Sequence, residues 1–236
     1  MKKIIIAIAA LLAMPTQISA QETRNTITVA VLDTGITEVG ALTGRVDGNY
    51  DLYDPEDPRE EMRSSHGTMV ANIIAERTGP NVRFIGMRVD KNRCRGDICE
   101  VDERAIRRAL RMAIDMDVDV IQASLSGRMH SETRDLFIEA ANKGIAVVLA
   151  AGNQGGVALG GMILKEADAN VYIVSSLDAE GRPSEFSARM NGRLRERMVW
   201  RVGEDVPTID RDGQPTLATG TSFAAPQYAS EIIGKL

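Results

Sequence analysis

Ile145-Ala146-Val147-Val148-Leu149-Ala150 is an unbroken apolar run, closed by Ala151-Gly152-Asn153-Gln154-Gly155. It is too short for an ordinary globular helix, and being apolar at every position it reads as a strand buried on both faces of a sheet. Residues 131 to 143, just before it, carry a helical pattern that stops at Gly144. The same alternation continues outward. Upstream, Val118-Asp119-Val120-Ile121-Gln122-Ala123 is a strand preceded by a helical pattern over 101 to 116. Before that come a strand over 82 to 89, a helix over 67 to 76, and Thr26-Ile27-Thr28-Val29-Ala30-Val31-Leu32. Downstream, Val171-Tyr172-Ile173-Val174 adds a strand, and the chain ends in a helix after Gly220-Thr221-Ser222. Strand and helix in regular alternation predict an α/β fold of three layers, a mostly parallel central sheet with helices on both faces. In such sheets ligands sit beyond the carboxyl ends of the strands.

The beginning of the chain has a different character. Lys2 and Lys3 precede an apolar segment from Ile4 to Met14, and Ile18-Ser19-Ala20 offers small residues for cleavage. Residues 1–20 are therefore expected to be a signal peptide and 21–236 a single domain, secreted or periplasmic, with no stable membrane insertion. Only Gln21 to Asn25 separate the expected cleavage from the first strand, so no pro-segment is recognisable. This leaves room for a folding helper or inhibitor supplied in trans. Hydrophobic residues make up 44% of the 236 and aromatics only 4%, so the core must be aliphatic. A net charge of −5 argues against nucleic acid as a partner. Cys94 and Cys99, the two cysteines, are expected to form a disulfide in an exported protein.

Polar motifs stand where the architecture puts ligands. Asp33-Thr34-Gly35 follows the first strand, and Ser64-Ser65-His66-Gly67-Thr68 opens the first long helix. Ser124-Leu125-Ser126 follows the third strand, Gly152-Asn153 the fourth, and Gly220-Thr221-Ser222 starts the last helix. Each alone has an ordinary reading as a turn or cap. Together they supply an acid, a base, a hydrogen-bond donor and a nucleophile. Thr221 and Ser222 are cap-type residues, and Pro226 is expected in the first helical turn, where a missing N–H has no consequence.

Asp33-Thr34-Gly35, His66-Gly67-Thr68 and Gly220-Thr221-Ser222-Phe223-Ala224-Ala225-Pro226 resemble, in order, the three signature blocks of the subtilisin-like serine proteases, the subtilases. The resemblance extends over nearly all of the chain after residue 20. It implies a serine endopeptidase acting on polypeptides through an acyl-enzyme, with Ser222 as nucleophile, His66 as base and Asp33 orienting the imidazole. Asn153, in Ala150-Ala151-Gly152-Asn153, matches the block that carries the family's oxyanion donor. By the same resemblance Ser124-Leu125-Ser126 pairs with an extended substrate, and Ala150-Ala151-Gly152 walls the pocket before the scissile bond. None of these segments holds a charge, which implies an apolar or mixed preference.

There are departures. Ser126 stands where glycine is usual, Ser65 precedes His66, Gln227 replaces a histidine, and Arg201-Val202-Gly203 replaces Ala-Pro-Gly. Arg77-Thr78-Gly79-Pro80-Asn81 is too short for the family's calcium-binding turn, so neither metal nor cofactor is expected. The acid-rich stretch 47 to 61 lacks a ligand register and is expected to be a solvated loop. An aspartic protease would need a second Asp-Thr-Gly, and the glycines after Asn153 do not match a dinucleotide-binding pattern. The remaining alternative is a catalytically silent subtilase serving as a protein-binding scaffold.

Overall fold

A computed structural model describes residues 26–56, 64–96, 98–125, 129–158, 160–167 and 169–236. The strands are β1 (Ile27–Asp33), β2 (Val46–Asp51), β3 (Val82–Arg88), β4 (Asp90–Arg95), β5 (Ile98–Val101), β6 (Val120–Ala123), β7 (Ala146–Ala150), β8 (Val171–Leu177), β9 (Val199–Val202), β10 (Val206–Ile209) and β11 (Pro215–Ala218). The α-helices are α1 (His66–Ala75), α2 (Glu103–Asp115), α3 (Ser131–Asn142), α4 (Gly161–Glu166) and α5 (Thr221–Ile233). One sheet has the order β2-β3-β1-β6-β7-β8-β9, every neighbouring pair parallel. The pairs β4–β5 and β10–β11 are separate antiparallel ribbons.

The three layers follow from side-chain alternation. On β7, Val147 and Leu149 pack with α2, α3 and α4, while Ala146, Val148 and Ala150 pack with α1 and α5. All five positions are buried, as expected of an apolar run with helices on both sides. The same division on β1 sends Ala30 and Leu32 one way and Val29 and Val31 the other. Helix α2 begins where the Asp102 carboxylate accepts from the N–H groups of Arg104 and Ala105, at 2.9 Å each. It buries Ala105, Ile106, Ala109, Leu110, Ala113 and Ile114, leaving its arginines to the other face.

Two expectations about elements change. The helix expected from residue 101 starts at Glu103, because Val101 belongs to β5. That strand and β4 form a ribbon closed by the Cys94–Cys99 disulfide. The acid-rich stretch is not loop throughout: Val46–Asp51 forms the edge strand β2. An edge strand pairs on one side only, so Asp47 and Asn49 are tolerated in it. Asp51 is buried in an ion pair with Arg88, 3.1 Å away, and Arg88 also reaches Asp90 at 3.0 Å. Asp57, Glu60 and Glu61, like residues 1–20, lie outside the described residues.

The turn after α1 is organised by Arg45. Its Nε donates to the Val82 carbonyl at 3.1 Å and its Nη1 to the Ala75 carbonyl at 2.8 Å. Its Nη2 donates to the Thr78 hydroxyl at 2.9 Å and the Gly79 carbonyl at 2.7 Å. Helix C-termini leave carbonyls unpaired and carry partial negative charge, and a planar cation with five donors satisfies several at once. The group lies over the Phe84 ring, 5.2 Å from its centre. Burial, with the nearby Arg83 charge, lowers its pKa from the ordinary value. Arg45→Met should cost about 2–4 kcal/mol, because carbonyls collected by one charge are all orphaned together. The melting temperature should fall by on the order of 10 °C. A shift below about 2 °C would contradict this account of the turn.

Candidate active site

From β1 the chain builds β2 and β3 on one side of that strand and then β6 to β9 on the other. The switch point therefore lies between β1 and β6, and a crevice is expected beyond their carboxyl ends. Asp33 ends β1, Ser124 follows β6, and Asn153 lies just beyond β7. His66 is the first residue of α1 and Ser222 the second of α5.

What brings α1 to the end of β1 is a missing side chain. A Cβ on Gly67 would stand 2.3 Å from the Gly35 carbonyl oxygen and 3.1 Å from the Asp33 Cβ. Gly67 N–H donates to the Thr34 hydroxyl and His66 N–H to the Ser64 hydroxyl, both at 3.0 Å, so side chains take up two orphan donors of the helix start. His66 Nδ1 then lies 2.8 Å from Asp33 Oδ1 and 3.0 Å from Oδ2. Asp33 is only 3% exposed and also accepts from Thr34 N–H at 2.8 Å. A carboxylate can only accept, so Nδ1 carries a proton, and in the neutral ring the lone pair is on Nε2. The Phe223 ring, tilted 55° with its centre 5.3 Å away, packs against the imidazole.

Asn153 is set by α5. Its Oδ1 accepts from Thr221 N–H and from the Thr221 hydroxyl, both at 2.9 Å. Since a backbone N–H can only donate, the amide oxygen must face Thr221 and Nδ2 must face away. Gly220, at φ 150°, gives the chain a backbone that L side chains rarely adopt, and a Cβ there would meet Asn153 Nδ2 at 3.0 Å. The expected cap is thus corrected: Gly220 is the N-cap, neither Thr221 nor Ser222 caps the helix, and Asn153 bonds its first N–H from outside. Pro226 is corrected too. The helix begins at Thr221, so Pro226 falls in the second turn and withholds a donor from the Ser222 carbonyl. Ser124 Oγ donates to that carbonyl at 3.0 Å.

A cavity of about 260 Å³ is lined by Asp33, Thr34, His66, Ser124, Leu125, Asn153, Gln154 and Ser222, with Cys99 and Val101 from the disulfide ribbon. A second, of about 250 Å³, shares Cys99, Val101 and Leu125 with it and adds Ile106, Phe137, Leu149 and Ala150. Four of the residues expected to carry chemistry thus meet at one cavity. Ser124 and Leu125 join them, and Ala150 lines the neighbouring cavity. Ala151 is fully buried with its N–H on the Val174 carbonyl, and Gly152 is held by the Thr221 hydroxyl and Ala188 N–H. Ser126 lies outside the described residues. The sequence gives no part at the site to Thr34, Ser64, Phe223 or Val101, and gives Thr221 only that of a cap. Thr34, Ser64 and Phe223 lie within the quoted motifs, which is their only signal.

A protein-family model described as the subtilase family matches residues 24–236. Comparison with curated proteins gives no match. Among solved structures, a cold-adapted subtilisin-like serine proteinase superposes with TM-score 0.72 at 21% identity, covering 90% of this chain and 77% of that one. The protease domain of PatA gives 0.68 at 21% identity, covering 86% and 76%. The prenylagaramide maturation protease PagA gives 0.67 at 22%, covering 88% and 74%. At these identities the likeness is one of fold. Gly67→Ala tests the local geometry without reference to activity. The added methyl should cost about 1–3 kcal/mol and push α1 off β1. The hydrogen-bonded Nδ1 proton signal of His66 in NMR should weaken or vanish; an unshifted signal at unchanged melting temperature would contradict the close-contact argument.

Proposed function

The chain belongs to the subtilase family and is a serine protease, and from that premise we propose that it is a secreted endopeptidase whose working groups are Asp33, His66, Asn153 and Ser222. The observation that carries this reading is the 2.8 Å contact of His66 Nδ1 with buried Asp33 at a cavity also lined by Ser222 and Asn153. In this reading Ser222 Oγ attacks the scissile carbonyl carbon while His66 Nε2 takes its proton. The oxyanion formed accepts from Asn153 Nδ2 and Ser222 N–H. The tetrahedral intermediate collapses as His66 returns the proton to the leaving amine. Water, deprotonated by the same nitrogen, then releases the acyl group from Ser222. Asp33 holds the tautomer and stabilises the imidazolium.

The substrate is an extended polypeptide. Ser124 and Leu125 lie beside the site, and the neighbouring cavity, lined by Val101, Ile106, Phe137 and Leu149 together with Glu100, Glu103 and Thr133, suits an apolar or mixed side chain. Export rests on the leader-like residues 1–20, with 21–236 as the working domain. Among the described residues no helix is long and apolar enough to cross a membrane. Neither nucleic acid nor cofactor enters this reading.

The protein, freed of its leader, should cleave casein, and Ser222→Ala should abolish cleavage without shifting the thermal transition. Cleavage that survives this substitution would overturn the assignment. Asn153→Ala should reduce turnover by about 100- to 1,000-fold, the range subtilisin itself shows for this change. Activity should fall on acidification, because protonation removes the Nε2 lone pair. EDTA should leave the melting temperature unchanged, and a large drop would reveal a structural metal. Reduction of Cys94–Cys99 should lower stability by only roughly 2 kcal/mol, since the ring it closes is small.

A further inference from the structure

Strand β6 breaks the pattern of its own face. Val120 packs with the α1 and α5 layer, and period-two alternation puts Gln122 and then Ser124 on the same face. Gln122 is fully buried, in register between Val31 of β1 and Val148 of β7, both aliphatic. A buried amide is destabilising unless both its ends are bonded. Its Nε2 donates to Ser124 Oγ at 3.0 Å, but among the described residues its Oε1 has no hydrogen-bond partner. An aliphatic residue would fit this position without that cost, so the use of the glutamine lies in what Nε2 holds.

The reason is found in α5. In an α-helix the Ser222 carbonyl would accept from the N–H four residues on, and that residue is Pro226, which has none. Ser124 Oγ–H fills the gap at 3.0 Å. A hydroxyl has a single proton. With it committed to Ser222, Ser124 Oγ must accept from its other neighbour, which fixes Nε2 rather than Oε1 of Gln122 towards it.

We propose that Gln122 and Ser124 are positioning residues for the nucleophile. The relay Gln122 Nε2–H to Ser124 Oγ–H to the Ser222 carbonyl replaces the hydrogen bond that Pro226 withholds. It thereby holds the Ser222 Oγ and N–H in register with His66 and Asn153. The proposal rests on the reading of Ser222 as nucleophile. It uses only the Ser124 side chain, so the backbone there stays available to substrate. Misplacement of a reacting atom by about 1 Å is enough to lower a rate by about 100-fold, so a small relaxation at Ser222 is measurable.

The test is a double-mutant cycle of Ser124→Ala and Gln122→Met, with Ser124→Thr as the variant that keeps the hydroxyl. The first readout is the rate at which a fluorophosphonate labels Ser222. Ser124→Ala should slow labelling by about tenfold or more, Ser124→Thr should restore most of it, and Gln122→Met alone should slow it less. With Ser124 already alanine, Gln122→Met should change the rate by less than about twofold, because no relay remains to break. In peptide hydrolysis the losses should fall on kcat, with KM and the pH midpoint unmoved. The second readout is melting temperature in a Ser222→Ala background, which keeps the carbonyl and needs no activity. There, Gln122→Met should be more stabilising when Ser124 is alanine than when it is serine. Labelling of Ser124→Ala at the unmutated rate, or equal effects of Gln122→Met in both backgrounds, would overturn the proposal. If the unmutated protein is not labelled at all, the nucleophile reading fails and the positioning role with it, while coupled melting shifts would still establish the hydrogen-bonded relay.

Discussion

The site depends on one contact between two pieces of backbone. The start of α1 lies so close to the end of β1 that position 67 admits no side chain: a Cβ there would be 2.3 Å from the Gly35 carbonyl. From that contact follow the Thr34 bond to Gly67 N–H and the placing of His66 against Asp33. The acid is 3% exposed, with Thr34 N–H from its own turn and His66 Nδ1 from the start of α1 both within hydrogen-bond distance.

The other half of the site depends on the start of α5. The start of a helix leaves N–H groups without partners, and Pro226 leaves the Ser222 carbonyl without its own; residues from neighbouring strands' ends meet both needs. Asn153, beyond β7, takes the Thr221 N–H, and Ser124, beyond β6, supplies the Ser222 carbonyl. Both bonds serve the helix and also aim something at the cavity. With its oxygen held by Thr221, the Asn153 amide has only its nitrogen left to offer. The sheet therefore fixes α5, α5 fixes Asn153, and α1 stands opposite with His66, each through groups that would otherwise be orphaned.

What was legible in the sequence is what periodicity and punctuation encode. The run 145 to 150 is buried throughout, and the motifs at strand ends converge because a parallel sheet carries all its carboxyl ends on one side. Strand β2 was not legible, since an edge strand carrying Asp47, Asn49 and Asp51 has the composition of a loop and is held by register with β3. The ribbon β4–β5 is similar, being charged and short and stabilised by its own closure. Pro226 was misplaced by one turn because the helix start depends on Asn153, more than sixty residues away in sequence. Arg45 and Gln122 gave no signal at all. A lone arginine or glutamine becomes informative only when the carbonyls around the first and the missing donor beside the second are seen in space.

The central claim is that Asp33, His66, Asn153 and Ser222, from four separate parts of the fold, work together at one site with Ser222 Oγ as the nucleophile. A crystal structure of the protein inhibited by a small fluorophosphonate tests it directly. The account predicts a phosphorus–oxygen bond at Ser222, with the phosphoryl oxygen about 2.7–3.1 Å from both Asn153 Nδ2 and Ser222 N. His66 Nε2 should face the Ser222 oxygen while Nδ1 keeps its contact with Asp33. A phosphonylated residue elsewhere, or a phosphoryl oxygen turned away from Asn153 and into solvent, would contradict it.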